Sequence, residues 1–195
     1  MSATVVPAPR ASAMGQQAGP WSCSAGTLVR RRLRGSGMSQ EVLEQRAAAV
    51  IEANKYMTLA TVDADGLPWV SPVYFTPDGH ADFYWVSSPD AEHSLNVTRN
   101  PEVSIVIYDS SVAVGQASAV YLRARVELVP DAELERWAAF YSSRLAGLRA
   151  FGPDELRAPA DFRLYRARAA AHWLLVRGRD PDYGTGIDSR RPVWA

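Results

Sequence analysis

Residues 83–109 read FYWVSSPDAEHSLNVTRNPEVSIVIYD, and the rest of the chain is organised around this stretch. Four consecutive apolar residues, Phe83 to Val86, stop at two serines. A Pro89-Asp90 pair opens a short helix, Asn100-Pro101 closes it, and a β-branched run from Glu102 to Tyr108 follows. The expected order is strand, short helix, strand. Where Ser87 and Ser88 meet the start of the helix, hydroxyls and the unpaired N–H groups of a first turn converge, and His93 adds an imidazole. Amides and helix dipole both favour an anion at such a corner, and a phosphate suits it. The same residues also read as plain helix capping beside an exposed imidazole, with Asp90 as the cap. Asp90 and Glu92 weigh on that side, because carboxylates in the first turn compete with a phosphate for the same amides.

Upstream, Met57 to Val62 alternates like a strand, and Asp63-Ala64-Asp65-Gly66 is a turn. Pro68 to Phe75 is a second strand. Pro72 interrupts it and cannot donate to a ladder, which marks a bulge or an edge. Thr76-Pro77-Asp78-Gly79 is a further turn, and the third strand runs from about Asp82 to Ser87. Two short turns between three strands predict an antiparallel meander. A helix precedes it, capped at Ser39, with Glu41 in its first turn and Leu43, Ala47, Val50 and Ile51 on one face, ending near Asn54-Lys55.

Downstream, Asp109 to Ser118 is a loop of small residues. Ala119 to Val129 is a long strand with Val120, Leu122, Ala124, Val126 and Leu128 on one face. Pro130-Asp131 starts a helix to about Leu145, with Leu134, Trp137, Ala138, Tyr141 and Leu145 on its buried stripe. Phe162 to Arg168 and Ala171 to Val176 read as two closing strands, and Arg177 to Ala195 as a Gly/Asp/Arg-rich tail. Six or seven antiparallel strands with few flanking helices make a mainly β protein, and a small closed barrel removes the sheet edges. Side chains fill a barrel of this size, so a large ligand sits in a groove outside it. If two subunits form that groove, the protein is an obligate dimer.

Composition bounds the function. A chain of 195 residues, 47% hydrophobic with six Trp, is long enough for one well-buried domain. The formal charge is zero, yet residues 1–37 hold Arg10, Arg30, Arg31, Arg32 and Arg34 with no acid, so the remainder is acidic by the same amount. A mildly acidic body is a poor wrapper of nucleic acid, and nucleic acid is not an expected partner. Residues 1–37 have no period of two or of 3.6 and read as a disordered basic arm, or as an over-extended start before Met38. Residues 38–195 form the folded domain. The one cysteine, Cys23, permits no intrachain disulfide and fits a reducing cytoplasm. No apolar run approaches the roughly 18 residues of a spanning helix, so no membrane partner is expected.

Side-chain catalysis has little support, and no catalytic residue is assigned. His80, His93 and His172 have no metal-ligand spacing, and no metal site is expected. Neither a G-x-S-x-G elbow, a P-loop nor a G-x-G-x-x-G occurs. Asp63 and Asp65 flank a turn glycine and serve the turn. Any redox chemistry falls to a cofactor. Trp173 reads as a core aromatic or as a flat wall against an aromatic cofactor. Arg190 reads as a solvated tail residue or as a fork for a phosphate or ring carbonyl.

The succession YMTLATVDADGLPWVSPVYF, FYWVSSPDAEHSLNVTRNPEVSIVIYD, AVYLRARVEL and RLYRARAAAHWLL resembles the pyridoxamine 5′-phosphate oxidase-like family of flavin-binding split barrels. The likeness spans Ser39 to Val193. It implies an antiparallel split β-barrel that works as a homodimer, with FMN held in each of two interface grooves. Ser71, Pro72, Val73 and Tyr74 would then lie along the flavin ring, and Ser87, Ser88 and His93 would face its phosphate. Gln116 would approach the ring from the other subunit, and Trp173 and Arg190 would correspond to the family's C-terminal flavin contacts. The chain departs from the pyridoxal-forming members, which carry an Arg-Lys pair where this sequence has Glu92-His93 and a basic residue near Ser71. A weaker phosphate grip follows, and the vitamin B6 reaction is not expected. The resemblance implies an FMN-dependent oxidoreductase acting on a small molecule. Its alternatives are a deazaflavin-dependent reductase and a non-enzymatic flavin- or haem-binding dimer.

Overall fold

A computed structural model describes residues 39–145 and 147–194, so the arm read over residues 1–37 lies outside the described residues. Three α-helices and eight strands follow in the order α1 (Gln40–Ala53), β1 (Tyr56–Val62), β2 (Pro68–Tyr74), β3 (Thr76–Asp78), β4 (Asp82–Ser87), α2 (Glu92–Arg99), β5 (Glu102–Tyr108), β6 (Ala119–Leu128), α3 (Leu134–Ser142), β7 (Arg163–Val176) and β8 (Ser189–Val193). Every pairing is antiparallel, in the order β2-β1-β5-β6-β7-β4-β3, and β8 adds to β7. The two ends of this path, β2 and β3, are consecutive in the chain with only Phe75 between them. One residue thus ties the sheet's edges together, and the sheet must curl. The ladder is interrupted between β2 and β4, which makes the barrel a split one.

Alternation fills the interior. Met57, Leu59, Ile105, Ile107, Val120 and Leu122 point inward, as do Phe83 and Trp85 of β4. Helix α1 packs Leu43, Ala47 and Ile51 against the β5–β8 side, and α2 brings Val97 against β1 and β2. A second core lies on the other face of β4, where Tyr84 and Leu164 meet Leu134, Trp137, Ala138 and Tyr141 of the segment between β6 and β7. Strand β4 is therefore buried on both faces, and this is why Phe83 to Val86 is an unbroken apolar run. Arg166, only 5% exposed, is held beside Tyr84 by Glu127 and Glu133, so its buried charge is paired.

Five expectations are corrected. The three-strand meander does not form: β1 and β2 are a hairpin, but β4 pairs with β3 and β7. Residues 76–78, read as part of a turn, are a short strand, because Phe75 carries the chain round the barrel before it folds back. The two closing strands are one, β7, with a register shift at Arg123/Ala124 where Ala169 and Ala171 bracket an extra residue. The tail contributes β8, whose Pro192 is tolerated on an edge strand. In β6 the inward face ends at Val126, and Leu128 is exposed while Val129 enters the second core. Pro72 does sit on an edge strand. No described helix is long and apolar enough to cross a membrane.

Phe75→Ala should cost about 3–5 kcal/mol in chemical denaturation, since it empties a fully buried aromatic site at the closure point. Leu67→Ala, at a residue 61% exposed, should leave the midpoint nearly unchanged.

Candidate functional site

The corner after β4 is built by a change of backbone direction. Ser87 ends β4, and the turn that follows has the Ser88 hydroxyl accepting the Asp90 N–H at 3.2 Å and the Ser88 carbonyl accepting the Ala91 N–H at 3.2 Å. Helix α2 begins two residues later than Pro89-Asp90 implied, with Ala91 at the cap position and no side-chain capping bond. Asp90 is therefore not the cap; the Ser94 N–H is taken by the Ala91 carbonyl at 2.8 Å, and the Glu92 and His93 amides keep their capacity for an outside acceptor. Ser87 Oγ and His93 Nε2 lie 2.8 Å apart, both half-buried, with Glu92 on the exposed side of the same turn. Burial lowers the His93 pKa, so the imidazole is neutral at neutral pH. An arriving anion would reverse that preference by favouring the imidazolium.

Strand β2 divides its predicted residues between two jobs. Val73 pairs opposite Met57 and is buried in the core. Tyr74 donates its hydroxyl to the Arg144 carbonyl and sits edge-on to Tyr56 and Tyr141. Ser71 accepts the indole N–H of Trp69 at 3.1 Å, and Pro72 is exposed. The Asn96 amide of α2 donates to Thr61 Oγ1 at 3.1 Å, and Thr61 donates to the Trp69 carbonyl at 3.4 Å, which ties the helix of the corner to this part of β2.

The outer face of the sheet carries the rest. Register places Pro72, Thr58, Val106, Tyr121, Trp173 and Pro192 in one row across six strands. Trp173 and Arg190 line a groove of about 460 Å³ together with Ser104, Tyr121 and Arg123. The Arg123 guanidinium lies 5.8 Å from the Trp173 ring centre, and that of Arg190 lies 5.7 Å from the Tyr121 ring centre. Four strand spacings separate Pro72 from Trp173, roughly 19 Å. A tricyclic ring cannot touch both in one chain. Gln116 is exposed on the loop between β5 and β6, where Arg177 donates to its side-chain oxygen at 3.2 Å and to the Gly115 carbonyl.

The predicted residues thus fall into four sets: Ser87, Ser88 and His93 at the corner, Ser71 to Tyr74 on β2, Trp173 with Arg190 in the groove, and Gln116 on its loop. Sequence reasoning passed over Tyr121, Arg123 and Arg177. The first two were visible as the outward positions of a strand noted only for its apolar face. Arg177 has no local signal, because its partners lie some sixty residues away in the chain.

The model for pyridoxamine 5′-phosphate oxidase matches residues 43–175, which include the corner, β2 and Trp173. The chain belongs to the pyridoxamine 5′-phosphate oxidase family. A pyridoxine/pyridoxamine 5′-phosphate oxidase of Hyphomonas neptunium is 29% identical over 160 residues, 81% of this chain and 67% of that protein. Among solved structures, the haem storage protein HutZ of Vibrio cholerae is 27% identical with a TM-score of 0.55, covering 72% of this chain and 99% of HutZ. An F420 reductase is 25% identical with a TM-score of 0.50, covering 65% and 94%. The proteins similar to this chain thus carry different names, from haem storage to F420 reduction. Arg190 lies beyond the matched residues.

The His93 imidazole should titrate below 6.5, the ordinary value, when followed by NMR in the free protein. The unfolded chain then takes a proton that the folded one refuses, so His93's contribution to stability is complete above 6.5. It declines as pH falls from there to the folded value. Inorganic phosphate should raise the midpoint if the corner receives anions. A midpoint that phosphate leaves unmoved would reduce the corner to a helix start.

Proposed function

We propose that this chain is a cytoplasmic, FMN-binding oxidoreductase that works as a homodimer. The observation that carries the reading is the Ser87–His93 pair at the foot of a helix with no side-chain cap, in a chain of this family. The donor set fits a phosphate: two hydroxyls, an imidazole and the Glu92 and His93 amides lie at the corner, and a bound dianion finds several N–H and O–H donors there. Glu92 opposes it, and the grip is correspondingly modest. When bound, the isoalloxazine would supply hydride or electron transfer.

The chain's own residues would hold and orient. Ser87, Ser88 and His93 would bond the phosphate, His93 taking a proton as the anion enters. Pro72 and Tyr74, on the outer face of β2, would border the ring with the Ser71 backbone, while Val73 anchors the strand from the core side. Trp173, Arg190 and Gln116 would approach from the second copy, which the roughly 19 Å between Pro72 and Trp173 makes necessary if one ring is to meet both. The outer sheet face supports a second copy: Tyr56, Val62, Val70 and Tyr108 are exposed along it, beside the row of Thr58, Val106 and Tyr121.

A second reading replaces FMN with a deazaflavin coenzyme. It is favoured by a first turn of α2 that carries Glu92 and no lysine or arginine, and by the likeness to an F420 reductase. Haem is a third occupant, raised by the likeness to HutZ, in which case the dimer stores or senses rather than catalyses.

Titration with FMN should yield a yellow complex that runs as a dimer in light scattering. Ser87→Ala with His93→Ala should weaken FMN binding by about 1–3 kcal/mol, read from flavin fluorescence. A colourless protein that ignores FMN but takes up F420 or haem would replace the cofactor in this reading.

A further inference from the structure

At the corner that would meet the cofactor's phosphate, Arg163 stands opposite Ser87 on β7 but gives its Nη1 to the Ala160 and Phe162 carbonyls, whereas the outer-face groove holds two guanidinium groups. Arg123 and Arg190 both have guanidinium groups lying over aromatic rings, and among the described residues neither forms a salt bridge. The carboxylates at the ends of the trough are committed elsewhere. Glu102 is paired with Arg125 at 2.7 Å, and Asp188 accepts the Gly178 N–H at 2.8 Å.

Arg123 stands one row away from Trp173, about 7 Å along the strands. Its neighbours in that row are small: Ser104 is opposite it on β5, Ala171 on β7, and Ala60 lies beyond Ser104 on β1. Hollows on both sides of it, one reaching toward Trp173 and the other toward Ala60 and Pro68, share Arg123 and Ser104 as lining. An unpaired guanidinium above small side chains, next to an aromatic wall, leaves room for a ligand that brings its own negative charge. The planar fork matches a carboxylate or phosphate with two parallel N–H donors. Packing alone does not call for an arginine here, since its side chain covers no core.

We propose that the substrate of the flavin site is a small organic anion whose carboxylate or phosphate is received by Arg123, with its body against Trp173. This deepens the proposed function and rests on it. Arg123 is then the residue that selects charge, while Trp173 and Arg190 serve the ring. The same chemistry could come from the cofactor's own phosphate, and the two sources are separable.

Benzoate and benzyl alcohol share a ring and differ in charge, so they serve as probes in calorimetric titrations of the full chain, with and without FMN. Benzoate should bind at least tenfold more tightly than the alcohol. Arg123→Gln should bring the two within about twofold without changing the circular dichroism spectrum, and Arg123→Lys should restore part of the preference. In the FMN-loaded protein, benzoate should still bind and should perturb the flavin's visible spectrum. Equal affinity for the two probes, or a preference that survives Arg123→Gln, overturns the proposal. So does displacement of benzoate by FMN, which would give the groove to the cofactor. Failure to bind FMN at all would instead sink the flavin reading, and the benzoate preference of the apo-protein would still report on Arg123.

Discussion

The structure depends on one geometric constraint: β2 and β3 lie at opposite ends of the sheet's pairing order, yet a single residue separates them in the chain. A flat sheet of seven paired strands would put those ends far apart, since neighbouring strands sit about 4.8 Å from each other. Only a curled sheet can satisfy both the ladder and the covalent link. Phe75, fully buried, fills the interior at that joint. Curling then dictates where everything else goes. The inward positions become one core, the outward positions of β1, β5, β6 and the second half of β7 become a face that no described residue covers, and the segment between β6 and β7 covers the outer side of β4 and of the first half of β7.

Local patterns were legible where local physics decides the conformation. Alternation in β1, β5 and β6, the Gly66 and Gly79 turns with positive φ, and the helices α1 and α3 all follow from nearby residues. Long-range pairing was not legible. Nothing within PWVSPVYF says that β2 leaves β4 alone, because the bend at Phe75 is imposed by closure and not by a turn sequence. The tail shows the same limit. Ser189 to Val193 has no alternation that would mark a strand, and becomes one because the C-terminal half of β7 offers an open edge and α1 holds the segment through Gln40 and Glu44. Of the candidate site, the Ser87–His93 approach was readable from i to i+6 spacing across a strand–helix corner. The cap itself shifted, since Ser88 spends its hydroxyl on the turn and the helix starts after it. The bond from the Tyr74 hydroxyl to the Arg144 carbonyl was not legible, because it spans a distance in the chain that no local rule covers.

Charge placement separates the two halves of the candidate site. At the corner, a neutral imidazole and two hydroxyls face any anion with dipoles alone, and burial works against the charged imidazole. In the groove, two permanently charged guanidinium groups lie on aromatic rings without a carboxylate to neutralise them. Arginine cannot shed its proton, so that field is present at every physiological pH, while the corner's develops only when a ligand brings the proton in.

The asymmetry bears on why the outer face is shared between packing and binding. A purely apolar face would associate with a second copy and exclude everything else, whereas arginines in its middle make complete closure costly, because an unpaired buried cation is destabilising. An anion arriving between the copies removes that cost. In the proposed dimer, association and anion binding would be coupled through the same two side chains, with the small residues Ala60, Ser104 and Ala171 leaving space beside Arg123. On this argument the groove's arginines would be matched by the anion it receives, and the row Thr58, Val106, Tyr121 and Trp173 would bring the two proposed copies near enough to hold it.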